Sequence, residues 1–201
     1  MNTRKKSILL LVSLVLLLAL AVGGTLALLI ADTESVVNTF TPGSTDVTIE
    51  ETFNQPYETK ENVSIKNAGD VPVYIRVAII PTWEDGDGNP VGIAAGLSDL
   101  TIDWGATGGN EMEETPGNGW EKGKDGFWYY TSPVSAGNST NNLITSATVI
   151  TSNGYKMNLQ ILAQSIQAQP DEAVEQAWTN AKVTVDANNG TLTVANKVTN
   201  N

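Results

Sequence analysis

The chain contains no cysteine and no histidine. Without thiols there are no disulfides and no thiolate metal sites. Without imidazole, Ser-His-Asp and Cys-His catalysis and a His-Glu-x-x-His zinc site are excluded. A Ser-x-x-Lys pair is missing as well, and zinc held by carboxylates alone would be unusual. Positive charge is scarce: 11 Lys and Arg stand against 22 Asp and Glu, a net charge of −11. That balance argues against nucleic acid and anionic lipid surfaces as partners, since both want basic patches. A carboxylate pair of the glycosidase kind leaves no local signature, and solubility is the simpler use of an acidic surface.

One long apolar run is present. It follows Arg4, Lys5 and Lys6, and residues 8–22 are apolar except Ser13. A basic start, an apolar core and a small-residue exit describe a secretory signal peptide. Apolar character resumes over 26–31, so the stretch is also about the roughly 20 residues that span a bilayer. Gly23, Gly24 and Thr25 weaken a helix where a peptidase needs extended backbone, and Ala27 is small. Cleavage is therefore expected between Ala27 and Leu28, with Thr25 and Ala27 before the cut. In the other reading the uncleaved leader is a membrane anchor. Removing 27 of the 201 residues leaves 174, a single domain's worth of chain. The expected divisions are a signal peptide over 1–27, an N-terminal segment over 28–44 and a β-sandwich domain over 45–201.

Beyond the leader, period-two alternation dominates. Val47, Ile49 and Phe53 share one face of "TDVTIEETF". In "VPVYIRVAII", Val71, Val73, Ile75, Val77 and Ile79 lie opposite Tyr74 and Arg76. With "NVSIKN" and the turn-former "NAGD" before it, the pattern predicts a hairpin over 62–80. Leu100, Ile102 and Trp104 alternate in "LTIDW", as do Tyr155, Met157, Leu159 and Ile161 in "YKMNLQIL". Asn189-Gly190 predicts a final hairpin. "QPDEAVEQAWTNA" reads as one helix, with Pro170, Asp171 and Glu172 at its start and Val174, Ala177, Trp178 and Ala181 on its apolar face. Short strands separated by Gly-, Asn- and Pro-rich loops over 84–96 and 105–126 predict an all-β fold. Its expected form is an antiparallel, jelly-roll-like β-sandwich with one short helix.

Two motifs invite ligands. Asp85, Asp87 and Asn89 in "EDGDGNP" alternate like the opening of a calcium loop, but Pro90 and Gly96 stand where an EF-hand needs Gly and Glu. An Asp-Gly turn is the preferred reading, and no metal or other cofactor is expected. Four of the five tryptophans lie between residues 83 and 128. Trp104, Trp120 and Trp128 would serve either as a stacking platform for sugar rings or as core and edge packing.

The leader with "GGTLA" and the following "NTFTPGSTDVTIEE" resemble chains processed by a SipW-type signal peptidase. Downstream, "IKNAGDVPVYIRV", "DGFWYYTSPVSAG" and "QSIQAQPDEAVEQAW" are similar to exported proteins grouped with TasA and camelysin. The resemblance implies a secreted or cell-surface protein of Gram-positive bacteria with a jelly-roll fold. It further implies a dedicated signal peptidase as partner during export, and relatives that are subunits of biofilm fibres. In those fibres the freed N-terminal segment pairs as a strand with the next subunit. Camelysin is a surface metalloprotease, but no catalytic motif here supports carrying that activity over. The expectation is thus a non-enzymatic matrix protein whose partners are copies of itself or other matrix proteins. Val36, Val37 and Phe40 would form the assembly strand. A carbohydrate-binding module and a surface hydrolase are the alternatives.

Overall fold

The structure, a computed structural model, describes residues 43–54, 59–104, 118–150 and 153–198. The leader, the cleavage residues Thr25, Ala27 and Leu28, and the segment with Val36, Val37 and Phe40 lie outside these. Among the described residues, no helix is long and apolar enough to cross a membrane.

Ten strands and one short helix form an all-β sandwich. The strands are β1 (Val47–Asn54), β2 (Thr59–Asn67), β3 (Val73–Glu84), β4 (Leu100–Asp103), β5 (Trp120–Lys122), β6 (Trp128–Tyr130), β7 (Ile144–Val149) and β8 (Lys156–Gln167). Helix α1 (Glu172–Ala177) and strands β9 (Val183–Asp186) and β10 (Thr191–Val194) follow. The first sheet has the order β1-β2-β7-β4 and the second β5-β6-β3-β8, with β9 and β10 as a separate hairpin. All pairings are antiparallel. The runs β2-β7-β4 and β8-β3-β6 are those of a jelly roll. Strands β1 and β5 depart from it: a roll pairs them with β8 and β4, whereas here they pair with β2 and β6.

The expected hairpin over 62–80 is not formed. Strands β2 and β3 belong to different sheets, so "NAGD" turns a corner between layers instead of reversing the chain within one. Asn67 holds that corner. Its fully buried side chain donates from Nδ2 to the carbonyls of Val71 (2.8 Å) and Val134 (2.9 Å), and its Oδ1 accepts from the Gly69 amide (2.9 Å). The lead-in to β1 packs there too, with the Asp70 amide donating to the Ser44 carbonyl and the Ala68 amide to that of Asp46. A Cβ on Gly69 would overlap the Ser44 carbonyl oxygen, so the approach requires glycine.

Between the sheets, Val63, Ile65, Val73, Ile75, Val77 and Ile144 form the centre of the main core. Val73, Ile75 and Val77 are wholly buried, and each such side chain contributes about 1.5–3 kcal/mol through the hydrophobic effect. A second core covers part of the other face of the second sheet. There Tyr74 and Tyr129 meet Val174, Trp178 and Ala181 from the α1 region and Leu192 and Val194 from the hairpin. This explains "FWYY". Trp128 points into the main core while Phe127 and Tyr129 face the second, so aromatics are buried on both faces of one strand. The Arg76 guanidinium lies over the Phe127 ring at 4.1 Å and the Trp178 ring at 5.1 Å, a cation–π clamp between β3 and the C-terminal layer.

The helix is shorter than its sequence pattern. It ends at Ala177, which is exposed, because Trp178 leaves helical geometry at φ −109°, ψ 47°. Val174, Trp178 and Ala181 are still buried. The last hairpin forms around a longer turn than a two-residue one: Asp186 pairs with Thr191, and Gly190 at φ 69° closes the reversal.

The corner at Asn67 gives a direct test. Asn67→Ala leaves the Val71 and Val134 carbonyls without their donor, and is expected to cost about 2–3 kcal/mol in urea unfolding. A loss below about 0.5 kcal/mol, the range of ordinary surface substitutions, would show that the corner does not depend on it.

Candidate functional site

Strands β1 and β8 are edge strands of opposite sheets, and they meet along one side of the sandwich. Along β1, Val47 and Ile49 pack against the main core, and the alternation carries Glu51 and the rim residue Phe53 onto the same side, so a carboxylate follows the core face. Its partner is Lys60, which sits opposite Phe53 in the β1–β2 register. The Lys60 Nζ lies 2.9 Å from Glu51 Oε2, an ion-pair contact, not an aligned hydrogen bond. It also donates to the main-chain carbonyl of Leu159 on β8 at 2.6 Å and stands 5.3 Å from the centre of the Phe53 ring. Lys60 is only 8% exposed, and a charge at that depth persists only where it is paired and hydrogen-bonded.

The strand geometry puts Lys60 there. Between Glu50 and Thr52 the β1–β2 register shifts, and Asn62 adopts φ 55°. The extra residue is a bulge, which re-aims the strand that carries it. Lys60 therefore faces inward although Val63 and Ile65, at odd spacing from it, do so too.

Six residues further along β8 the two edges touch again. The Ser165 hydroxyl on β8 donates to the Thr45 carbonyl just before β1. The β1–β8 side is thus closed by side chains at both ends, where a jelly roll would have a backbone ladder. Next to Lys60, at the end of the sandwich, opens a cleft of about 210 Å³. Its apolar walls include Phe53, Leu100, Val149, Met157 and Leu159. Phe53 is 61% exposed at its rim. Also on the rim, Glu84 accepts from Asn158 Nδ2 at 2.6 Å.

The residues singled out from sequence lie elsewhere. Asp85, Asp87 and Asn89 form a turn at the end of β3. One oxygen of Asp85 accepts from the Asp87 and Asn89 amides, both at 2.9 Å, and the Asn89 side-chain amide reaches the same carboxylate. These bonds, chiefly those from Asn89, hold the Asp85 carboxyl below its ordinary pKa. This is the chemistry of an Asx turn. Among the described residues, no group of three or more metal-ligating acids comes together.

Trp104, Trp120 and Trp128 are each 2% exposed. Trp104 stacks on Trp128 with ring centres 5.6 Å apart, and Trp120 packs on Tyr130 at 5.1 Å while its Nε1 donates to the Asn141 carbonyl. None offers a ring face to a sugar, which corrects the platform reading. The core role follows from their places just after β4 (Trp104) and on β5 and β6 (Trp120, Trp128), all packed into the same interior.

Lys60 and Glu51 carried no motif. The only signal was parity: Glu51 falls on the same face as Val47, Ile49 and Phe53. No known protein family, curated protein or solved structure matches the chain.

Two outcomes test this geometry. Lys60→Ala leaves the half-buried Glu51, whose Oε2 is shielded from solvent, without its cation and is expected to cost about 2–3 kcal/mol, more than the double change Glu51→Gln/Lys60→Met. Equal losses in chemical unfolding would show that the pair is not coupled. For Asp85 the folded pKa is depressed, so its turn is secure above the unfolded value of 3.8 and loosens as pH falls through the lower folded value. A carboxyl NMR titration should place its midpoint below 3.8, and a midpoint at or above that value refutes the assignment.

Proposed function

We propose that the chain is a non-enzymatic, exported protein of the cell surface or extracellular matrix that assembles with copies of itself by strand addition. The observation that carries this reading is the outer edge of β8. Strand β8 runs for twelve residues, pairs with β3 along its whole length and has no strand on its other side among the described residues. A long, regular edge is a template for an added strand unless something blunts it. The leader supplies the export route, and the TasA-like resemblance supplies the precedent for a freed N-terminal segment as donor. Val36, Val37 and Phe40 are the β-prone residues of that segment.

The alternatives have less behind them. The tryptophans a carbohydrate module would use are in the core. A hydrolase would need two facing carboxylates around a substrate. In the cleft region Glu51 is held by Lys60 and Glu84 by Asn158. The same cleft would, however, accept one apolar side chain of a partner.

The test compares protein beginning at Leu28 with protein lacking residues 28–43, by sedimentation and electron microscopy. The longer form is expected to form concentration-dependent oligomers or fibres and the shorter form to stay monomeric. N-terminal sequencing of protein shed by native cells should begin at Leu28. A longer form that stays monomeric at high concentration across pH, or shed material that begins at Met1, overturns the reading.

A further inference from the structure

We infer that the cleft beside Lys60 binds a small aliphatic carboxylate, whose chain covers the apolar walls while its head meets Lys60, with Lys156 adding its charge. This inference does not depend on strand addition, and either reading can fail alone.

The cleft has the size and the walls of a small-ligand site. Leu100 on β4, Val149 on β7 and Met157 and Leu159 on β8 line it, so both sheets contribute hydrocarbon surface. An apolar cavity of about 150 Å³ takes up benzene. At about 210 Å³ this cleft has room for a chain of about six to eight carbons. Phe53, 61% exposed at the rim, offers that chain a further apolar surface.

Charge calls for a head group. Lys60 and Lys156 line the cleft against one carboxylate, Glu84, in a chain whose acids outnumber its bases two to one. Glu84 already accepts from Asn158 Nδ2, and Glu51 is not a lining residue. The local balance is therefore the reverse of the chain's, and it favours an anion.

Lys60 also has an N–H to give. An ammonium carries three donors. Among the described residues one goes to the Leu159 carbonyl, and the contact with Glu51 takes at most a second. At 8% exposure the residue has little access to water, and a buried donor left unmet is costly. A carboxylate beside Lys60 accepts that proton in a charge-assisted bond. Lys156, an exposed lining residue, adds attraction of the same sign. An apolar side chain of a partner protein fills the same space but leaves the donor unmet, and the carboxylate is favoured for that reason.

The test titrates protein beginning at Leu28 with linear carboxylates at neutral pH and follows the methyl NMR signals of Val149, Met157 and Leu159. From butanoate to octanoate the affinity should rise about fourfold per methylene, then level off as the chain outgrows the cleft. Octanol should bind about tenfold more weakly than octanoate, and Glu51→Gln/Lys60→Met should weaken octanoate binding about tenfold. Lys156→Gln, a change at an exposed position, should weaken it about two- to fivefold. Cooperative thermal unfolding of each variant establishes that it is folded. No saturable shift with octanoate overturns the inference. Octanol binding as tightly as octanoate, or an affinity that neither variant lowers, overturns it too, since the cleft is then an apolar socket only. Binding to phosphatidylglycerol vesicles without binding of free octanoate also overturns it and assigns the cleft to a lipid surface.

Discussion

The twelve-pair ladder between β3 and β8 is the constraint on which the rest of the fold hangs. Strand β3 is buried on both faces over its first half. Val73, Ile75 and Val77 enter the main core, while Tyr74 and the clamped Arg76 serve the second. That double burial fixes the register, because a slip of one residue would drive Arg76 into the sandwich and Val77 out of it. The C-terminal layer is then a consequence. A sheet face bearing Tyr74 and Tyr129 needs a cover, and α1 with the last hairpin provides it through Trp178, Leu192 and the bond from the Tyr74 hydroxyl to the Gly190 carbonyl.

How much of this was legible follows from where each deciding contact lies. Alternation was enough for β1, β3, β4, β8 and the last hairpin, because burial of one strand face is written in neighbouring residues. It could not assign strands to sheets. "NAGD" has the composition of a tight reversal, and only the contact from Asn67 to Val134, 67 residues away, makes it a corner between layers. The tryptophans failed as ligand candidates for a related reason. An indole at the right parity is equally suited to a platform and to a core, and packing against another distant indole decides. At the seam, Phe53 was legible as an apolar strand residue and Glu51 was visible only as a parity violation. Lys60 became significant only once the β1–β2 bulge and the Leu159 carbonyl were in place.

That parity violation bears on why the seam has an ion pair at all. A valine and a methionine at positions 51 and 60 would satisfy the core pattern, and replacing a buried pair by apolar residues is often neutral or stabilising. They would also leave the Leu159 carbonyl without its donor and the β8 edge unblunted, so that any extended chain could pair with it. Holding Lys60 on Leu159 closes the first position of the edge with a bond that a strand can replace one for one, since a backbone N–H does the same work. Glu51 holds the lysine on the inner side of the strand. The arrangement thus keeps a buried lysine paired beside the cleft and closes the start of the β8 edge without a backbone ladder.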